Sequence, residues 1–480
     1  MSSPRPLRLA TPLLALLPMA CGGDSTPEAP SERPRHVLLI VTDTLRADRL
    51  SCYGYPRQTS PAIDALADSG VRYARCHSQG CWTVPSMISM MSGLYVTQLE
   101  TGLPEGPIAL GETLQDAGYV TAAFLGNLVL TKDRGFRDGY DHFEPGDPDG
   151  RALTLAENVA DWLPTARERI DESRGLFLWV HPMNPHTPYL PEEEERVFRD
   201  QRPDAEQVLD RWRAYQPRVE FLTGDNPTIS YKRAVAELHT QTNSYDSEVL
   251  GVDRGVARLL EVMEDEGLLD ETLVIFASDH GEMLWEHPHF PQELSLKVED
   301  RGLPRGVMDM FVHGHRAWFY KELWNTPLIL AGPGVPEGVV HDGLVANLDI
   351  YPTILQALDV APRGALDGVS LYPGIDPERT HVFGYGFDTT AVIESSGLKL
   401  VEHEYERFLL PEEGEPPVTL YDAVANPSET RDFAEERPEE VERLRGLMRA
   451  WRERHARANL QTGTSEEAQA ILDELGYTGY

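Results

Sequence analysis

Cysteine is scarce, four residues in a chain of 480. That excludes a disulfide-built scaffold, and none of Cys21, Cys52, Cys76 and Cys81 has the spacing of a zinc-binding cluster. Cys76 and Cys81 stand near enough in sequence for a local disulfide, with buried thiols as the alternative. Basic residues are few against acidic ones, 43 to 78, giving a formal net charge of −35. A chain so acidic is a poor match for nucleic acid, and no nucleic-acid partner is expected. Beyond the first twenty residues no apolar run is long enough to span a bilayer. What is present, 41% hydrophobic and 8% aromatic residues over this length, suffices for a large core in two or three domains.

The first residues have the pattern of a targeting segment. Arg5 and Arg8 precede Leu13-Leu14-Ala15-Leu16-Leu17 and then Pro18-Met19-Ala20-Cys21. This resembles a bacterial lipoprotein signal, which implies a signal peptide over 1–20 and a lipid on Cys21; ordinary signal-peptide cleavage is the alternative. A Pro-, Ser- and Glu-rich tether over 21–34 follows. The implied location is the cell envelope, lipid-anchored, on the periplasmic or extracellular side.

From His36 to Thr42 the chain is almost continuously apolar and ends in Asp43. Runs of this kind suit parallel strands buried on both faces. The pattern recurs at 121–125, 176–180, 272–276 and 327–331. Helical stretches lie between; Val249, Val252, Val256, Leu259, Leu260 and Met263 form a one-faced stripe leading into the strand at 272. The expected fold is α/β, a mostly parallel central sheet with helices on both faces, over residues 35–372. Residues 192–225 are charged and read as an irregular insertion. From 373 to 480, short strand-like pieces and an amphipathic helix bearing Val441, Leu444, Leu447, Met448 and Trp451 predict a smaller α+β subdomain.

The stretch Trp82-Thr83-Val84-Pro85-Ser86 opens what reads as a short buried helix closed by Gly93. Thr83 therefore sits at a helix N-terminus, where free N–H groups and the helix dipole favour an anion. A hydroxyl there is either a helix cap or a nucleophile that a metal can acidify. Ligands of open α/β sheets gather at the carboxyl ends of the strands. Two predicted strands end in metal-binding chemistry, Thr42-Asp43-Thr44 and Ser278-Asp279-His280-Gly281-Glu282. Asp43, Asp279, His280 and the Thr83 oxygen form a mixed set suited to one divalent cation, Mn²⁺, Zn²⁺ or Ca²⁺.

Together and in this order, the segments resemble the sulfatase family of the alkaline-phosphatase superfamily. The likeness runs from about 36 to 430. It is carried by Val41–Asp48, Cys52-Tyr-Gly-Tyr55, Trp82–Leu94, Asn184-Pro-His-Thr-Pro-Tyr189, Tyr245-Asp-Ser-Glu248, Ser278–Glu282, His313-Gly-His315 and Leu420-Tyr-Asp422. The resemblance implies that Asp43, Asp279 and His280 bind the metal, that Thr83 is both ligand and nucleophile, and that His186 protonates the leaving group. His313 or His315 would contact the anionic oxygens of the substrate. Arg46, close to the end of the first strand, is a substrate contact or an ion-pair partner.

The departures from the family pattern bear on the chemistry. Thr44 replaces a second metal-binding Asp. Thr83 stands where the family converts Cys or Ser to formylglycine, so no formylglycine is expected, and Met87 stands where that motif has Arg. Gly126-Asn127-Leu128-Val129 replaces a Gly-Lys-Trp-His segment, leaving Asn127 as the substrate-facing candidate. Threonine is a nucleophile in phosphoryl-transferring relatives, and the sequence thus points to a metal-dependent hydrolase of sulfate or phosphate esters, with phosphate-type chemistry favoured. The substrate would be a small-molecule, glycan or lipid ester. Two other functions fit the same residues: a transferase of phosphate-bearing headgroups onto an envelope glycan or lipid, and a non-catalytic binding lipoprotein.

Overall fold

The computed structural model describes residues 33–95, 102–103, 109–130, 134–147, 149–224, 226–289, 303–315, 318–386, 389–403 and 417–455. The signal segment, Cys21 and most of the tether lie outside these.

Strands β1 (His36–Thr42), β2 (Gly70–His77), β3 (Val120–Leu125), β4 (His142–Glu144), β5 (Leu176–His181) and β6 (Thr272–Ser278) fall in the first two thirds of the chain. A hairpin of β7 (Met283–Pro288) and β8 (Phe311–Gly314) stands apart, and β9 (Asn325–Thr326), β10 (Leu328–Ala331) and β11 (Val339–Ala346) return to the main sheet. Its order is β11-β2-β10-β6-β1-β5-β3-β4, with β9 on β2. Central β1 is parallel to both neighbours, Leu38 opposite Val274 of β6 and Leu178 of β5. Its alternation explains the unbroken apolar run. Leu38 and Ile40 join the core beneath helices α1 (Pro61–Asp68), α4 (Ala152–Glu172) and α6 (Tyr231–Asp265), while Val37, Leu39 and Val41 pack on the opposite side. That second core takes in α2 (Thr83–Ser92), α3 (Leu110–Asp116) and the helix Ile350–Ala357. A strand buried on both faces has no polar side to alternate with.

Two expectations change. Residues 328–331 form a strand, but it runs antiparallel to β6 and β2. Double-sided burial makes a run apolar whichever way it points, so composition carries burial and not direction. The 192–225 stretch is not irregular throughout: Ala205–Thr223 is a helix, α5, whose buried Val208, Leu209, Trp212 and Val219 were hidden among its charges.

The C-terminal part is an antiparallel sheet of His381–Gly386, Thr389–Glu394, Leu398–His403 and Val418–Asp422. Val441, Leu444 and Met448 of the helix Pro438–His455 cover Val392, Leu400 and Leu420. Cys52, Cys76 and Cys81 are free thiols, and the Cys76 Sγ–H donates to Asn347 Oδ1 at 3.2 Å. No helix among the described residues is long and apolar enough to cross a membrane.

Candidate active site

Three adjacent parallel strands end together. Because β6, β1 and β5 are neighbours in register, their carboxyl ends bring Asp279, Asp43 and His181 to one point. All three are fully buried. The Asp43 N–H donates to Pro182 O at 3.1 Å and the Asp279 N–H to Thr42 O at 3.2 Å, so each loop is pinned to the next strand. Ser278 Oγ donates to Thr42 O and His280 O, at 2.9 and 2.8 Å, and accepts from Leu45 N. Asp279 Oδ1 accepts from the N–H groups of Thr44 and His280, leaving Oδ2 without a partner. Gly281 is required for close packing: a Cβ there would meet Glu322 O at 1.9 Å.

Helix α2 delivers Thr83 to the same point. Its N-cap, Trp82, is extended and makes no side-chain cap, and Gly93 closes the helix at φ +68° as the sequence predicts. Ser86 Oγ donates to Asp279 O at 2.5 Å, stitching the first turn to the β6 loop. Thr83 Oγ1 lies 3.5 Å from His280 Nε2 and 3.4 Å from Asn127 Nδ2. Asn127 Nδ2 also donates to Asp43 Oδ2 at 2.5 Å, and its Oδ1 is fixed by the Val129 N–H. His280 Nδ1 donates to Gly281 O at 2.9 Å, which turns the Nε2 lone pair toward Asp279 Oδ2 at 3.4 Å and Asp43 Oδ1 at 3.9 Å. The structure thus gathers Asp43, Thr83, Asn127, Asp279 and His280.

Burial dominates the electrostatics. It raises the Asp43 carboxyl well above its usual range, helped by the charge of Asp279 and opposed chiefly by the hydrogen bond from Asn127. Asp279 is pushed up to about 6, again by burial, against His181 and the N–H groups of Thr44 and His280. His181 and His280 are each lowered to about 4 by burial, which keeps both imidazoles neutral. Asp43 Oδ1, Asp279 Oδ2 and both ring nitrogens of His181 are buried with no hydrogen-bond partner. Donor atoms of Asp43, His181 and Asp279 all lie within 4.8 Å of one another. Two carboxylates and imidazole nitrogens without hydrogen bonds, all fully buried, are costly bare and fit a divalent cation.

Beside this cluster, the ring of His315 packs 4.5 Å from that of His280 and 5.0 Å from that of His186. His315 Nδ1 pairs with Glu282 Oε1 at 3.1 Å. His313 points elsewhere: it stacks on Trp285 at 4.0 Å and bonds the Tyr189 hydroxyl at 3.1 Å. Of the two histidines, His315 therefore faces the cluster. His186 Nδ1 donates to Thr187 O at 2.5 Å, and burial, then His315, lowers its pKa to about 3.

The Arg46 guanidinium is buried and bonds Asp48, Glu286 and the Glu282 carbonyl, the ion-pair arrangement that was one of the two readings of this residue. Glu286 Oε1 also takes Arg202 at 2.8 Å and Arg49 at 3.4 Å, an arrangement that ties the 192–225 segment to the core. His181 was missed by sequence reasoning. Its one signal was a polar residue closing a buried strand, but which strand would lie beside β1 is decided by sheet order and not by chain order. Other motif residues are structural: Tyr245 OH donates to Thr44 O at 2.7 Å, and Tyr55 OH to Asp246 Oδ2 at 2.6 Å.

A family model described as Sulfatase matches residues 35–360. An uncharacterized sulfatase of Escherichia coli (strain K12), YdeN, is 26% identical over 71% of this chain; the match spans 61% of that protein's length. A protein solved with its substrate D-glucosamine-2-N,6-O-disulfate superposes with a TM-score of 0.67 at 17% identity, over 88% of this chain and 98% of the other. The phosphonate monoester hydrolase of Agrobacterium radiobacter gives 0.65 at 20% identity, over 91% and 99%.

Proposed function

This chain belongs to the sulfatase family, and from that premise we propose a metal-dependent ester hydrolase that uses Thr83 as its nucleophile and favours phosphate-type over sulfate esters. One observation carries the reading. A threonine hydroxyl opens a helix within 3.5 Å of His280 Nε2 and of the amide that also holds Asp43. Asp43, Asp279, His280 and Thr83 would hold the cation, which supplies charge neutralisation and acidifies a coordinated hydroxyl.

The chain's own residues do the rest. Asn127 fixes Asp43 and the Thr83 oxygen relative to one another. Thr83 enters the reaction deprotonated, its hydroxyl proton released to solvent; Oγ1 attacks phosphorus in line, and the bond from phosphorus to the leaving alcohol oxygen breaks. His186, charged once the anionic ester lies beside it, gives that oxygen its proton. Water then attacks the phosphothreonine and passes a proton to His186, the bond from phosphorus to Thr83 Oγ1 breaks, phosphate leaves, and Oγ1 returns as the deprotonated nucleophile beside a charged His186. Thr83 has no thiol or hydroxymethyl that could become formylglycine, which is why phosphate-type chemistry is favoured over sulfate. Superposition on a glycosaminyl-sulfate enzyme and on a phosphonate hydrolase supports only the shared fold, so the ester class is part of the proposal. So are the division at residue 372, the lipid on Cys21 and an envelope location, which acyl-labelling of wild type against Cys21→Ser tests.

The deciding experiment assays a sulfate monoester, a phosphate monoester, a phosphodiester and a phosphonate ester with Mn²⁺, Zn²⁺ and Ca²⁺. Turnover of a phosphorus ester above the sulfate ester is expected; turnover of the sulfate ester alone would overturn the preference.

A further inference from the structure

We propose that His181 is a ligand of the active-site cation, standing in for the carboxylate that Thr44 lacks, so that the site takes zinc in preference to calcium. The inference rests on the metal-dependent reading above and adds a residue to it. His181 closes β5, the strand beside β1, and its N–C=O frame is fixed on both sides: its carbonyl accepts from Gly126 N at 2.7 Å and the next residue's carbonyl accepts from Asp43 N. The ring is fully buried, and neither nitrogen has a hydrogen-bond partner. A structural histidine in such a place pairs at least one nitrogen with a neighbour, because a buried polar atom left alone is destabilising.

The ring is instead aimed at the carboxylates. His181 Nε2 lies 3.9 Å from Asp279 Oδ2, the same oxygen that His280 Nε2 approaches to 3.4 Å. Two donors about 2.1 Å from one ion at a tetrahedral angle stand roughly 3.4 Å apart, so these separations are those of atoms that share a cation or relax slightly to do so. Thr44, where a further Asp would add charge, turns into the left-handed region at φ +58° and offers only a neutral hydroxyl and its backbone N–H, the latter already given to Asp279 Oδ1. Two carboxylates and two neutral imidazoles then balance a divalent ion in charge. Imidazole nitrogen suits zinc, whereas calcium seeks six to eight oxygens.

The test is calorimetric titration of the metal-stripped full chain with zinc and with calcium, for wild type, His181→Ala and His181→Asn. Zinc affinity is expected to fall at least about 100-fold in His181→Ala, with calcium affinity changed about threefold or less. Zinc-edge X-ray absorption of wild type, which needs no variant to fold, should count two imidazole ligands. Zinc binding within threefold of wild type in a folded His181→Ala chain, or a single imidazole in the absorption spectrum, overturns the inference while leaving the metal reading intact. Wild type that binds no divalent cation overturns both.

Discussion

Removing the Thr83 oxygen separates a nucleophile from a structural hydroxyl, because the two roles predict different losses. Thr83 Oγ1 has two long contacts, 3.4 Å to Asn127 Nδ2 and 3.5 Å to His280 Nε2, so little stability depends on them. Thr83→Ala forfeits at most about 1 kcal/mol of hydrogen bonding and about 0.8 kcal/mol for one buried methyl. A lost attacking group costs on the order of 10⁶ in turnover, or about 8 kcal/mol of barrier. Thr83→Ser retains the oxygen and loses only the methyl, so it keeps most of the activity and matches Thr83→Ala in stability to within about 1 kcal/mol. Steady-state kinetics and urea unfolding of the three proteins measure both quantities. Mass spectrometry of acid-quenched wild type should find a phosphoryl group on the peptide containing Thr83, and an otherwise unmodified threonine. Thr83→Ala with kcat within tenfold of wild type would refute the nucleophile; a fall in stability of several kcal/mol with modest loss of rate would make the Thr83 hydroxyl structural.

Three further outcomes are expected. Gly281→Ala forces a Cβ to within 1.9 Å of Glu322 O and should destabilise by about 3 kcal/mol while displacing His280, read by thermal unfolding and by loss of turnover. Asn127→Ala breaks the bond to Asp43 and should lower kcat about 100-fold with a smaller effect on the melting temperature; an unchanged kcat would remove Asn127 from the site. Glu248, raised from 4.5 to about 7 by burial, against the pull of Arg151, binds its proton more tightly folded than unfolded, so stability falls as the pH rises from 4.5 to 7. At 1.36 kcal/mol for each tenfold change in proton affinity the fall is about 3 kcal/mol, and Glu248→Gln should abolish that part of the pH dependence in urea unfolding.

Legibility followed the physics of each signal. Buried strands announce themselves by unbroken apolar runs, and His36–Thr42 and Thr272–Ser278 are found where the runs lie. Gly93 and the helix before it were readable because only a left-handed position wants glycine there. Strand β2, Gly70–His77, was not readable: Arg72 and Arg75 interrupt it, and its place comes from pairing with β10 and β11 far along the chain. The site shows the same division. Asp43, Asp279 and His280 sit in motifs with a local shape, whereas the place of His181 beside them needs the order β6-β1-β5, which sequence order does not contain. Arg46 was ambiguous for a related reason, since Glu286, its partner, lies 240 positions away.

The charge of the chain gives the cation a second task. At −35 the protein repels an anionic ester at long range, though screening over about 8 Å confines that to the approach. Close to Thr83 the acidic groups are again carboxylates, Asp43 and Asp279, and the Arg46, Arg49 and Arg202 guanidiniums are committed to Glu286. Bare, the pocket offers an ester the positive end of α2 against two acids; with a divalent ion in place the acids are balanced and the helix end acts unopposed. Cation and ester binding are therefore coupled in the same direction, and by reciprocity each must tighten the other. On that argument orthophosphate, a product of the proposed reaction, should bind the stripped chain at least tenfold more weakly than the loaded one, and equal affinity would mean that something other than the cation neutralises the pocket.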